Sequence, residues 1–537
     1  MTSFNLSELF ESVATAVPER CAVASPGRTL TYRHLDERAT RLANHLRSAG
    51  IGAGDHVGLY LLNGTEYIEG MLASFKLRAV PININYRYVE RELAHLFNDA
   101  DLAALIFDAS FSVQVGAVAP QVPTLKHQVV VGGGVDDAVR YELALAASPT
   151  TGDFPDRSGD DVYIAYTGGT TGMPKGVMWR HEDLFFAALG SGDPLLDKGP
   201  ISDASELPGR VPDFPITQLC APPLMHVSAH WGAFNSLFGG GKVVLLSPGR
   251  FDGDEVWRTI AGEGVNVLTL VGDAMARPVL DTLAAAPVAT YDTSSLLIFA
   301  SGGALLSAAT KAQIATLLPN VVVVDTFGSS ETGLAGSRSS SSHDGRSQAR
   351  FNVDTRTSVL DEDLRPVVPG SGQIGRLARR GHVPIGYFKD EAKTKATFVT
   401  VDGERWVLPG DMATVDADGS VVLLGRGSGS INTGGEKVFP EEVEGVLKSH
   451  PAVFDVLVVG VADERWGERV TAVAQLRPGT ALTLDDLAAH ARAGLASYKL
   501  PRDLIVVDEI QRGATGKPDY PWAKNFAASM ASEPAGV

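Results

Sequence analysis

The chain has 537 residues, a net charge of −17, 44% apolar residues and 20% charged residues. That length suggests roughly three or four compact units with ample core, and the acidity argues against a general binder of DNA or RNA. Cys21 and Cys220 lie in no metal-ligand pattern, no apolar run reaches the roughly 18 residues of a membrane span, and the first residues lack a signal peptide's basic start, so a cytoplasmic protein with two free thiols is expected.

Thr31 caps a helix in which Leu35, Ala39, Leu42, Ala43 and Leu46 recur at three- and four-residue intervals, with Gly50 as its stop. Residues 57–62 read as a strand, 66–77 as a helix, 79–82 as a strand, 89–98 as a helix and 102–107 as a strand. This alternation implies parallel βαβ units. Gly132-Gly133-Gly134 lacks dinucleotide-fingerprint spacing and reads as a turn. Residues 161–166 form a buried strand, 182–189 a helix, and 190–216 a long surface loop rich in Gly, Pro, Asp and Ser. Further strands are expected at 243–246, 267–271, 296–300 and 321–325. Ser337 to Arg350 reads as mobile, and short strands and turns begin near Arg376. After a strand at 421–424, a new α+β pattern starts: helix 440–448, strands 456–461 and 470–476, helix 485–495, strand 504–507. The small, polar tail from Ser529 is read as disordered.

Five stretches carry chemistry. Thr167 to Gly176 holds four glycines, three threonines and Lys175 in ten residues. Glycine exposes backbone N–H groups, threonine adds hydroxyls and lysine adds charge, which is what a polyphosphate needs. Lys175 sits between Pro174 and Gly176, so this is not a P-loop, whose lysine precedes Ser or Thr at a helix start. Phe327-Gly328-Ser329-Ser330-Glu331 follows a strand and so falls at the carboxyl edge of a sheet, where α/β proteins bind ligands. Trp406 to Asp411 ends in a Gly-Asp turn. Gly425 to Glu444 contains Arg426, a Gly-Ser-Gly-Ser run and Gly434-Gly435, which permit close approach of a thin ligand. Arg512 to Lys517 ends in Gly-Lys. Alone, the second is more often a turn, the third a capping aspartate and the fifth a solvated lysine, while the fourth is the most specific after the first; their order along one chain is what reverses the bland readings.

The first stretch closely resembles the signature of the adenylate-forming superfamily of acyl-CoA synthetases, peptide-synthetase adenylation domains and luciferases, with Gly168 in place of the usual serine. The other four match the same family in order. The resemblance implies an α/β fold: a large N-terminal domain of several subdomains over residues 1–425, a hinge at 426–430 and a small mobile α+β domain over 431–537. It implies ATP, Mg²⁺ and CoA as reactants and cofactors. Thr167, Gly168, Gly169, Thr170, Thr171, Gly172 and Lys175 would hold phosphate, with Thr171 also catalytic. Asp325, Phe327, Gly328 and Ser330 would face the nucleotide, the Phe327 ring replacing the usual tyrosine against adenine. Glu331 would be catalytic through Mg²⁺. Asp411 would accept from the ribose and Arg426 would bind ribose or phosphate oxygens. Gly434, Gly435 and Lys437 would line the CoA path. Lys517 would bridge the substrate carboxylate and the α-phosphate. Met225, His226, Trp231, Gly302 and Gly303 would lie near the acyl chain, the two glycines leaving room for bulk. The hinge departs from the usual pattern, with Ser428 where Lys or Asp is common. This variant, together with Met178-Trp179-Arg180-His181, is similar to bacterial synthetases for fatty acids and steroid side-chain acids.

The implied reaction joins a carboxylic acid to AMP, releasing pyrophosphate, and then transfers the acyl group to CoA. Other readings are transfer to a carrier protein, a ligase for aryl or other acids, a luciferase-like oxygenase, and a non-catalytic nucleotide binder. No downstream carrier domain is present in this chain, and Glu331 and Lys517 are both retained. No nucleic acid and no membrane span are expected, and pairing of two copies is compatible with this reading.

Overall fold

The structure is a computed structural model that describes residues 3–135, 137–168, 173–304, 306–340, 350–433, 436–463, 466–512 and 517–532. Among the described residues the strands form three sheets. The first has eight strands, in the order Gly386–Tyr387, Lys175–Arg180, Val162–Thr167, Val80–Asn83, His56–Tyr60, Leu102–Asp108, His127–Val131 and Val139–Arg140. Pairings from Val162–Thr167 onward are parallel, as the βα alternation predicts. At the other end, Lys175–Arg180 turns back antiparallel on Val162–Thr167, pairing Thr167 with Lys175. The lysine of the glycine-rich stretch therefore opens a strand, and the hydrogen-bond ladder of the hairpin fixes it.

The second sheet has Arg28–Thr31 antiparallel on Cys21–Ser25 at one edge and then runs parallel through Cys21–Ser25, Lys242–Val244, Thr217–Cys220, Val267–Leu270, Ile298–Gly302 and Val322–Ser329. It then becomes antiparallel through Gly333–Ser340 and Arg350–Val353 and runs on to Val421–Arg426 and Asp411–Val415. Helices Leu6–Ala16, Tyr32–Ser48, Thr65–Lys76, His181–Ala188 and Val227–Phe238 supply side chains to the largest apolar cluster, which draws on both sheets. The helix Tyr32–Ser48 shows why. Its predicted apolar stripe, Leu35, Ala39, Leu42, Ala43 and Leu46, is wholly buried, and Thr31 accepts from the His34 amide at 3.2 Å as the N-cap. Each large buried side chain contributes about 1.5–3 kcal/mol against exposure.

The third sheet holds Glu436–Val438, Ile431–Thr433, Gly467–Leu476, Val453–Asp463 and Asp503–Val507. Helices Pro440–Leu447 and Leu484–Ala491 cover one face, and Tyr520–Ser532 supplies the apolar cluster with Leu457, Val459 and Ile510.

Three expectations need correction. The strand expected to end at Asp325 continues to Ser329, and Ser337 to Ser340 lie in its hairpin partner rather than in a mobile segment. The antiparallel partner is what extends it. Residues 341–349 of that segment lie outside the described residues. Ser529 to Ser532 end a helix because Ala523 and Ala527 find a core against the strand Val453–Asp463, and the rest of the tail lies outside the described residues. The first helix, Leu6–Ala16, was legible in principle from Asn5, which accepts from the amides of Ser7 and Glu8.

Candidate active site

Glu331 is the centre of the site. It sits in the turn between Val322–Ser329 and Gly333–Ser340, where the Ser329 hydroxyl accepts the Glu331 amide at 3.2 Å. The Tyr387 hydroxyl donates to one carboxylate oxygen at 2.8 Å and the Ser330 hydroxyl to the other at 2.9 Å. Ser330 also lies 3.3 Å from the Thr167 hydroxyl, so the two sheets meet here. The Trp179 indole, wholly buried, donates to the Ser330 carbonyl at 2.9 Å and fixes the turn from behind. Burial and then Glu331 raise the Tyr387 pKa, so its phenol remains a donor.

Lys175 donates to Asp390 at 2.9 Å. Asp390 in turn caps the helix Glu391–Thr397 by accepting the Lys393 amide at 2.9 Å. This presents the Lys393 ammonium 4.0 Å from the centre of the Tyr387 ring. Burial lowers the Lys393 pKa, with Lys175 and Arg426 acting the same way and Glu331 and Asp390 opposing. Tyr387, Asp390, Lys393 and Trp179 were not singled out as site residues. The signal was present in Gly386-Tyr387 followed by alternating acids and lysines, but the strand Gly386–Tyr387 is too short to announce itself.

Asp411 and Arg426 pair across neighbouring strands at 3.5 Å. Burial raises the Asp411 pKa, Arg426 and Lys517 lower it, and Glu331 raises it. Lys517 arrives from the third sheet's side of the chain. It keeps an exposed surface, yet enough protein crowds its ammonium to lower its pKa; Arg426 adds to this, and Glu331 and Asp411 oppose it. Thus Lys517, Arg426, Glu331 and Asp411, scattered over the sequence, lie within electrostatic reach of one another. His226 lies within the same reach: burial, then Arg87 and Lys517, push its imidazole down to about 4, so it is neutral at neutral pH.

Other expected residues have different settings. Phe327 is 8% exposed and packs edge-on against Phe351, with ring centres 4.6 Å apart. The carboxylate of Asp325 is taken up by Lys311 and by the Leu306 amide. A side chain at Gly328 would overlap the Gly333 carbonyl. Met225 and Trp231 are buried, Trp231 within the main apolar cluster and edge-on to Trp179. Asn83 binds both the Met225 carbonyl and the Tyr166 backbone at 2.8 Å, tying the glycine-rich hairpin to the segment before His226. A side chain on Gly302 would press on the Thr326 hydroxyl, so that glycine serves close packing rather than open space. A side chain on Gly303 would meet Val271 at an ordinary contact distance of 4.0 Å, but its φ of +81° is left-handed. Lys437 is exposed on the strand Glu436–Val438, apart from the cluster. Gly168 lies at the end of the strand Val162–Thr167, while Gly169, Thr170, Thr171, Gly172, Gly434 and Gly435 lie outside the described residues.

A cluster of alternating carboxylates, ammoniums and a guanidinium with adjacent hydroxyls suits a polyphosphate and a hard cation. The AMP-binding enzyme family matches residues 10–388, and the AMP-binding enzyme C-terminal domain matches residues 442–517. The chain belongs to the AMP-binding enzyme family. It is 49% identical over 536 residues to a 3-oxocholest-4-en-26-oate–CoA ligase of Rhodococcus rhodochrous, covering 97% of this chain and 96% of that one. It is 47% identical over 540 residues to a medium/long-chain-fatty-acid–CoA/3-oxocholest-4-en-26-oate–CoA ligase of Mycolicibacterium smegmatis, with 97% and 96% covered. Among solved structures, the anthranilate CoA ligase AuaEII in complex with anthranoyl-AMP superposes with a TM-score of 0.85 at 25% identity, covering 99% of this chain and 98% of that one. Family, α/β architecture and ligase class therefore stand as the sequence led one to expect.

Proposed function

We propose that this AMP-forming acid–thiol ligase activates medium- or long-chain fatty acids or steroid side-chain acids. The observation that carries the adenylation reading is the convergence of Lys517 with Glu331, Asp411 and Arg426. The substrate class rests on the two ligases named above at 49% and 47% identity.

Adenylation must bring a carboxylate to an α-phosphate, two anions, and charge builds up as they react. Lys517 bridges the two and stabilises the transition state. Lys175 and Lys393 offset the charge of the departing pyrophosphate. Arg426 and Asp411 hold the ribose side. No protein nucleophile is required, because AMP is the leaving group when the CoA thiol attacks. The oxygen donors of Glu331, Ser330 and Thr167 fit Mg²⁺, which would supply charge neutralisation on the phosphates. Neutral His226 flanks the carboxylate's approach without adding an anion or a cation.

The small domain, 431–537, is read as moving against 1–425 about residues 426–430. Residues Gly427–Gly429 form one short turn closed by Ser430 onto the Gly427 carbonyl at 2.9 Å. The Gly427 amide also donates to the Gly410 carbonyl at 3.1 Å, and a short turn of small residues suits a pivot. No helix of the described residues is long and apolar enough to cross a membrane, and we place the enzyme in the cytoplasm.

A panel of octanoate, palmitate, 3-oxocholest-4-en-26-oate and benzoate, scored by acyl-CoA mass and by pyrophosphate release with and without CoA, tests this reading. Fatty or steroid acids should give acyl-CoA. Preferred turnover of benzoate would overturn the substrate class, and acyl-AMP that never passes to CoA would overturn the acceptor.

A further inference from the structure

The helix Gly272–Ala285 belongs to the large part of the chain, yet one of its faces is occupied by the small part. Asp273, Arg277 and Asp281 follow one another at four-residue steps and so share a face. Arg277 is only 1% exposed. Its guanidinium donates to the Val453 carbonyl at 3.1 Å, to the Lys448 carbonyl at 3.1 Å and to the Phe454 carbonyl. It also lies 5.8 Å from the centre of the Phe454 ring, and Arg477 lies 5.9 Å from the same ring. Asp273 holds Arg277 at 3.2 Å, and Asp281 faces Arg477 at 3.9 Å.

Three main-chain acceptors on one planar donor define an orientation as well as a contact. Burying a guanidinium against neutral carbonyls is expensive unless the geometry is kept, so the contact is all-or-none. It is also far from the turn Gly427–Gly429 in sequence, and it constrains the small domain at a second point. Two points of attachment fix a rotation that one pivot leaves free. In the arrangement so fixed, Lys517 lies within reach of Glu331 and Asp411.

We infer that Arg277 is the positioning residue that holds the small domain in its adenylating posture, and that its three carbonyl contacts must be released before the acyl group passes to CoA. The inference rests on the reading of Lys517 given above. Asp273 adds a link to the acyl side: its other oxygen accepts the Ser307 amide at 2.9 Å, in the segment that follows Gly302 and Gly303.

The test separates the half-reactions, using octanoate with ATP for pyrophosphate release and supplied octanoyl-AMP with CoA for thioester formation. Arg277→Met should lower acyl-AMP formation by at least ~10-fold and leave thioester formation unchanged or faster, because the equilibrium shifts away from one posture. It should also speed protease cleavage between 426 and 430. Phe454→Leu keeps the carbonyls and most of the volume, and should show the same split more weakly; it decides the matter if Arg277→Met does not fold. Equal losses in both half-reactions, or no loss in adenylation, would overturn the inference. Lys517→Ala run alongside tells the two readings apart. If it retains acyl-AMP formation, the role of Lys517 fails; if it behaves as expected while both seam variants do not, only the latch fails.

Discussion

Lys175 and Lys517 face different carboxylates from different supports: Lys175 meets Asp390, and Lys517 lies within electrostatic reach of Glu331 and Asp411. Lys175 opens a strand of the eight-stranded sheet and is tied to Asp390 at 2.9 Å. Lys517 comes from the small part of the chain, keeps an exposed surface, and has no ion pair among the described residues. A cation held by a hairpin and a capped helix would stay in place through both proposed half-reactions. A cation carried on a part joined to the rest through a short turn, the Arg277 contacts and the packing of Phe439 on Val422 and Leu424 would be able to leave. On the function proposed above, the fixed lysine would serve the phosphates, which need charge from binding onward, and the movable one the α-phosphate, where it is needed only once.

The sharpest way to break this comparison is to remove the movable charge. Lys517→Ala should cost adenylation about 10²–10³ in rate, the range for a preorganised charge donor. Conversion of supplied acyl-AMP to acyl-CoA should persist. Equal loss in the two steps would place both lysines in the same class.

Freezing the pivot should give the mirror image. Ser428→Pro fixes φ near −65° within the turn Gly427–Gly429, whose closing bond involves Gly427 and Ser430 rather than the 428 amide. Acyl-AMP formation should be spared and its passage to CoA slowed by ~10²-fold. Normal CoA ligation by the folded variant would move the hinge elsewhere.

Loosening the fixed lysine should have a smaller and different effect. Asp390→Asn keeps the helix cap but removes the charge that orders Lys175. We expect a rise of ~10-fold in the KM for ATP with both half-reactions otherwise intact, measured by initial rates. A selective loss of one half-reaction would mean that Lys175, too, acts in only one posture.

The sequence made the fixed half easy to read and the movable half hard. Leu35, Ala39, Leu42, Ala43 and Leu46 have the period of a buried helical stripe, and all are buried. Thr167, Lys175, Glu331, Asp411 and Arg426 could be named because their neighbours are glycines and hydroxyls in a known order. Residues that act from a distance leave no such trace. Tyr387 reaches Glu331 only because Gly386–Tyr387 pairs with the strand that begins at Lys175. Arg277 lies in an ordinary amphipathic helix, and nothing local tells that three carbonyls from residues 448 to 454 will meet it. Phe327 and Asp325, placed by motif beside the nucleotide, have partners that no motif announces: the Phe351 ring and the Lys311 ammonium.

The two parts should also respond to acid with opposite sign, which is the gentlest test of their independence. His181 and His230 are wholly buried in the large part, and burial pushes each down to about 4 from an ordinary 6.5. His181 accepts the Leu6 amide, and His230 sits between the Tyr163 hydroxyl at 2.6 Å and the Leu224 carbonyl at 2.8 Å. Between these two pH values the unfolded chain binds more protons than the folded one, so this stability is complete above 6.5 and is lost as pH falls towards 4. Glu444 in the small part is the reverse. Burial raises its carboxyl to about 7 from 4.5, against the pull of Lys448, so the folded form binds the extra proton. Its contribution is complete below 4.5 and is lost as pH rises through 7. Asp455, lowered below 3.8 on balance by Lys448 and Arg512 despite its burial, acts only at lower pH. Hydrogen exchange corrected for its intrinsic pH dependence should therefore show amides near 181 and 230 losing protection between about pH 7 and pH 5, with the large part's melting point down by roughly 5 °C. Over the same interval the strand Val453–Asp463 should keep or gain protection, and Glu444→Gln should flatten that gain. A uniform loss across both parts would mean that they unfold as one unit, and the independence on which the moving lysine depends would have to be given up.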